Sequence, residues 1–200
     1  RLRELVAVHL NDRKNQYPPM AGIPSLREQI ALKVRDYYGY DADPETEVTV
    51  TSGATEALFD AVQAVVSAGD EVIVFDPAYD SYDPAILLAG GKTIHVPLSL
   101  PDYAMDWDRL EQAINSRTRL IIINSPHNPC GSVLSKGDFD RLAALIQDHD
   151  ILVLSDEVYE HMVYDGEKHE SILAHSELRE KSFAVFSFGN TYHATGWKLA

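Results

Sequence analysis

Short apolar runs alternate with longer amphipathic stretches through most of this chain. The runs at Val48 to Thr51, Glu71 to Phe75, Lys92 to Val96, Leu120 to Asn124, Ile151 to Ser155 and Phe183 to Ser187 have the length of buried strands. Between them, stretches near 55–67, 79–89, 106–115 and 136–148 repeat apolar residues at helical spacing. This alternation predicts an α/β fold: a mostly parallel sheet with helices on both faces, in three α/β/α layers. Upstream, Leu2 to about Asp12 reads as a helix, and Asn15 to Pro24, with three prolines and Gly22, as an irregular loop. Ser25 is expected to cap a helix carrying Leu26, Ile30, Val34 and Tyr37 on one face, and Gly39 stands where a left-handed terminator is favoured. Asp106 and Ser135 occupy cap positions of two later helices.

Open sheets of this kind bind ligands beyond the carboxyl ends of their strands. The chemically suggestive residues collect at those ends: Ser52 and Gly53, Tyr79, Asn128, Asp156, Ser187 and Asn190. Composition narrows the ligand. Two hundred residues at 45% hydrophobic content suffice for one domain with a substantial core, and a net charge of −14 argues against nucleic acid or an anionic membrane as partner. No apolar run approaches the roughly 18 residues of a spanning helix, so a cytoplasmic protein is the default expectation. Cys130 is the sole cysteine and reads as a small filler; Trp197 reads as core.

Thr51-Ser-Gly-Ala-Thr-Glu-Ala57 follows a strand and opens a helix, so the first amides of that helix lack partners within it. Gly53, Ala54 and Thr55 either form an ordinary turn or leave room for an anion such as a phosphate. Asp76-Pro-Ala-Tyr79-Asp-Ser-Tyr82 places an aromatic ring at the same sheet edge. In Asn124-Ser-Pro-His-Asn-Pro-Cys-Gly131, two prolines and a glycine fix the backbone around the side chain of Asn128. Asp156 ends an apolar run, where an unpaired charge is costly and calls for a cation. A competing reading groups Asp156, Glu157, Glu160 and His161 as a metal site, but their spacing matches no familiar ligand pattern, and no metal is expected.

Together with Ser155-Asp-Glu-Val-Tyr159 and Ser187-Phe-Gly-Asn-Thr-Tyr-His-Ala-Thr-Gly-Trp-Lys198, these motifs resemble the cofactor site of the class I/II aminotransferases that use pyridoxal 5'-phosphate. Within that family the chain looks most like the methionine and kynurenine enzymes. The resemblance implies that Gly53, Ala54, Thr55, Ser187 and Lys198 hold the cofactor phosphate. It implies that Tyr79 stacks on the ring with Tyr82 in support, that Asp156 pairs with the ring nitrogen, and that Asn128 and Tyr159 bond its phenolic oxygen. Tyr17 matches a tyrosine that reaches the phosphate of a neighbouring subunit, which implies a homodimer. Asn190 stands where the family has the lysine that bonds the cofactor covalently, and an amide is neither nucleophilic nor basic. Lys181 is expected at the opposite end of its strand and Lys198 at the phosphate, so neither replaces it.

The family pattern implies amino acid and 2-oxo acid substrates, with turnover impaired by Asn190. A carbon–sulfur lyase of the same fold and a non-catalytic binding remnant are the alternatives. The expected organisation is an N-terminal helix and interface loop over 1–24, then a cofactor-binding large domain over 25–200. Both ends read as cuts in a longer protein, with the C-terminal small domain absent.

Overall fold

A computed structural model describes residues 1–200. In chain order the elements are α1 (Leu2–Asn11), α2 (Pro24–Tyr38), α3 (Ala54–Val65), β1 (Glu71–Asp76), α4 (Tyr82–Leu88), β2 (Lys92–Pro97), α5 (Trp107–Ala113), β3 (Thr118–Asn124), α6 (Lys136–Ile146), β4 (Leu152–Asp156), α7 (Ser176–Arg179), β5 (Ser182–Val185) and α8 (Phe188–Thr191). The five strands pair in the order β2-β1-β3-β4-β5, every pair parallel.

Strand periodicity divides the core into two layers, because successive side chains point to opposite faces of a sheet. Val72, Val74, Leu120, Ile122 and Leu154 pack with Leu58 and Val62 of α3 and Ile86 of α4. Their neighbours Ile73, Phe75, Ile121, Ile123 and Val153 pack on the other side with Leu110 of α5 and Phe139, Leu142 and Ile146 of α6. The α/β/α expectation therefore holds, and the near-continuous apolar runs are those of strands covered on both faces. From β1 the chain turns outward to β2 and then crosses to the other side through β3, so the order reverses between β1 and β3. The crevice at such a reversal is where open sheets bind ligands.

The local signals fare unevenly. Asp106 caps α5 by accepting from the Arg109 amide at 3.1 Å, and Ser135 with Asp138 forms a reciprocal capping box on α6. Gly39 ends α2 with φ of 70°. Ser25, however, does not cap α2: the cap lies two residues earlier, at Ile23, with Pro24 as the first helical residue. Its buried residues are Arg27, which bonds the Val48 carbonyl at 3.1 Å, Ala31 and Val34, whereas Tyr37 is exposed.

Val48 to Thr51 is not a strand. Thr51 exchanges two backbone bonds with Ala200, and Val50 bonds Ala21, but no adjacent strand offers a ladder. The last apolar run also stops short of Ser187, which leaves the sheet to cap α8. Trp197 is 46% exposed in a single turn of 3₁₀ helix and so is not core. Helix α1 has no buried residue, and no helix is long and apolar enough to cross a membrane.

Ile121 is fully buried at the centre of the second layer. Ile121→Ala is expected to lower unfolding free energy by about 2–5 kcal/mol, the cost of a core cavity. Ser135→Ala should cost about 1 kcal/mol through the lost cap. Urea titrations of the three chains check both values.

Candidate cofactor site

Beyond the carboxyl ends of β1, β3, β4 and β5 lies a cavity of about 550 Å³. Its lining includes Ser52, Gly53, Ala54, Thr55, Tyr79, Asn128, Asp156, Tyr159, Ser187, Asn190 and Lys198, so the residues expected at the cofactor meet there, except Tyr17 and the supporting Tyr82. Tyr17 is fully exposed on the N-terminal loop and lines no part of it.

One end of the cavity is the start of α3. Gly53 precedes the helix at φ of 89°, and a Cβ there would already touch the Lys198 side chain at 3.4 Å. It is the positive φ that favours glycine here. No side chain caps the helix, and the amides of Ala54 and Thr55 have no acceptor in the chain. Glu56, one turn in, reaches back to the Ser52 amide. Lys198 brings a positive charge that is in no ion pair, and the Ser187 hydroxyl accepts from the Asn190 amide at 3.1 Å while its own proton remains free to donate. Unpaired amides, a free cation and a hydroxyl together suit a doubly charged anion.

The other end has the opposite demand. Asp156 is only 3% exposed and has no cationic partner. Its carboxylate accepts from the Tyr82 hydroxyl at 2.7 Å and, at 3.4 Å, from the Val158 amide. Burial pushes its carboxyl up to about 6, against the opposing pull of the Tyr82 and Val158 hydrogen bonds, with the neighbouring Glu157 adding to the rise. Such a group is held ready for a positive charge that the chain itself does not supply. Tyr79 stands edge-on to Tyr82 with ring centroids 5.7 Å apart, so the residue that holds Asp156 also braces the aromatic wall.

Between the two ends, the side-chain amide of Asn128 and the hydroxyl of Tyr159 line the cavity without a protein partner. Asn190 also lines it, exposed, and Lys198 is the only lysine there. Lys181 lies at the start of β5, bonding carbonyls of Gln147 and His149. The carboxylates considered as metal ligands diverge. Glu157 is bonded to Ser155, His169 and the Ile172 amide, and Glu160 to Lys33 and Tyr38 on α2, while Asp156 alone enters the cavity. Two features were not legible beforehand: the Tyr82 bond to Asp156, and the side chain of Asn124, which bonds main-chain atoms of both Asn128 and Asp156. Tyr82 had a signal in its three-residue spacing from Tyr79; Asn124 had none beyond its place at a strand end.

A flat ring carrying a cation at one end and a phosphate at the other fits these demands. The sequence profile of the family "Aminotransferase class I and II" matches residues 2–200, and the chain belongs to that family. Its members depend on pyridoxal phosphate. The chain is 50% identical over 198 residues to the methionine aminotransferase of Escherichia coli K12, covering 99% of this chain and 51% of that protein. It is 39% identical over 196 residues to mouse kynurenine–oxoglutarate transaminase 1, covering 92% of this chain and 46% of the relative. Among solved structures, an Escherichia coli protein with methionine aminotransferase function superposes with a TM-score of 0.98 at 50% identity, over 99% of this chain and 52% of the other. An aromatic aminotransferase from Pyrococcus horikoshii OT3 gives 0.95 at 39% identity, over 98% and 53%. The chain thus spans about half the length of the relatives it matches.

The Asp156 carboxyl binds its proton more tightly in the folded chain than in the unfolded one, where aspartate titrates near 3.9. Folding stability should therefore fall as pH rises from about 4 to about 6 and stay reduced above that. Asp156→Asn is expected to remove this dependence and to raise stability at about pH 7 by about 2–3 kcal/mol, the equivalent of two pKa units. Tyr82→Phe should shift the window upward, since its hydroxyl favours the charged form. Urea unfolding across this pH range measures each.

Proposed function

We propose that this chain is the cofactor-binding part of an aminotransferase that moves an amino group from a methionine-type or aromatic amino acid to a 2-oxo acid. The observation that carries the reading is the pairing, within one cavity, of a buried carboxylate lacking a cation with helix-start amides lacking an acceptor. Bound pyridoxal phosphate supplies an electron-withdrawing ring and an aldehyde through which an amino group can pass.

This chain's residues then divide the work. Ala54 and Thr55 would donate their amides to the phosphate, with the Ser187 hydroxyl and Lys198 beside them. Asp156, steered by Tyr82, would pair with the protonated ring nitrogen and so sustain the ring's electron demand. Tyr79 would stack on the ring. Asn128 and Tyr159 would donate to its phenolic oxygen. The substrate assignment is supported by the methionine, aromatic-amino-acid and kynurenine aminotransferases among the relatives.

Residues 25–200 make up the large domain in this reading, and residues 1–24, with α1 bare of core contacts and Tyr17 fully exposed, make up an interface segment of a cytoplasmic homodimer. A small domain completes the pocket in the whole enzyme. Asn190 stands at the position of the lysine that moves the substrate α-proton, and no other amine except Lys198 lines the cavity. Turnover in the chain as it stands is accordingly very slow. The missing base equally favours a second reading, a protein that binds the cofactor without catalysis.

Adding pyridoxal phosphate to this chain and to Asn190→Lys separates the possibilities by absorbance. The yellow band of covalently bound cofactor is expected only in the lysine variant. Borohydride followed by peptide mapping should place the label at residue 190. A band of equal strength in the unsubstituted chain would mean that another lysine does the work, and the assignment of position 190 would be withdrawn.

A further inference from the structure

Asn124 is the last residue of β3 and lies in register with Asp156, the last residue of β4. Its side chain is buried and forms two hydrogen bonds, both to main chain. The amide nitrogen donates to the Asp156 carbonyl at 2.9 Å, and the amide oxygen accepts from the Asn128 N–H at 2.6 Å. A backbone N–H on one side and a carbonyl on the other permit a single orientation of this amide. Aspartate would lack the donor, serine the reach, and leucine both functions.

The two bonds are not equivalent. The Asp156 carbonyl also accepts from the Ser125 amide at 3.1 Å, so it keeps a partner without Asn124. The Asn128 amide has no other acceptor, and the bonds from His127 to Ser132 and from Gly131 to His127 are internal to the loop. Loss of Asn124 therefore frees the Asn128 turn while the strand end stays in its ladder.

We propose that Asn124 is a positioning residue that fixes the Asn128 turn at a set distance from the Asp156 strand end, so that both side chains meet one cofactor ring. The inference rests on the cofactor reading of the cavity. Asn124 acts through the Asn128 main chain, and its contribution to binding should vanish once the Asn128 side chain is gone.

The test is equilibrium dialysis of the 200-residue chain against pyridoxamine 5'-phosphate, whose amine does not condense with protein lysines. The chains compared are unsubstituted, Asn124→Leu, Asn128→Ala, Asp156→Asn, Asn124→Leu/Asn128→Ala and Asn124→Leu/Asp156→Asn. Asn124→Leu should weaken binding about ten-fold, the scale of one lost ligand hydrogen bond. The double variant with Asn128→Ala should bind within about two-fold of Asn128→Ala alone, whereas the effects of Asn124→Leu and Asp156→Asn should multiply. Circular dichroism and urea midpoints establish that each variant is folded; Asn124→Ala replaces the leucine variant if the larger side chain disrupts folding.

Unchanged affinity in folded Asn124→Leu would overturn the proposal, and so would effects of Asn124→Leu and Asn128→Ala that multiply. Failure of the unsubstituted chain to bind, or indifference to Asp156→Asn, would sink the cofactor reading itself and the inference with it.

Discussion

A single uncompensated carboxylate organises the ligand end of this molecule. Asp156 closes a strand covered on both faces, where a charge without a partner costs several kcal/mol or takes up a proton. The fold does not remove that cost. It supplies one phenol and one long amide contact, enough to aim the carboxylate but not to neutralise it. The same cavity holds the unpaired amides at the start of α3 and the unpaired ammonium of Lys198, so a demand for a cation and a demand for an anion face one space.

The sheet makes this arrangement possible because its parallel strands end together. Reversal of strand order between β1 and β3 opens a crevice there, and the loops after β1, β3 and β4 deliver Tyr79, Asn128 and Tyr159 around it. Rigidity comes from buried polar groups behind the cavity. Glu157 and Glu160 tie the turn carrying Tyr159 to His169 and to Lys33 and Tyr38, with the Lys33 ammonium 3.9 Å from the centroid of Phe186. Burial pulls the Lys33 amine below its usual range, while Glu160 pulls the other way. These carboxylates, one and four residues beyond Asp156, are satisfied by the protein; Asp156 is not, and that contrast supports the role proposed for it.

Much of this was legible from residues alone. The strand runs and helix faces were regular enough to define the three layers, and the motifs at strand ends identified eleven of the residues that line the cavity. The errors have local causes. Pro24 rather than Ser25 opens α2, Val48 to Thr51 has the composition of a strand but bonds only single residues at Ala21 and Ala200, and Tyr37 falls outside the buried face of Arg27, Ala31 and Val34. Trp197 reads as core rather than site, yet it is 46% exposed.

The sequence by itself determined which chemical groups would gather and on what kind of sheet, because periodicity and turn chemistry are properties of neighbours along the chain. Only the tertiary structure decided which groups are satisfied and which wait for a ligand. The Tyr82 hydroxyl lies 74 positions from Asp156 and the Asn124 amide 32 positions away, and hydrogen bonds across such separations depend on packing that no local pattern encodes.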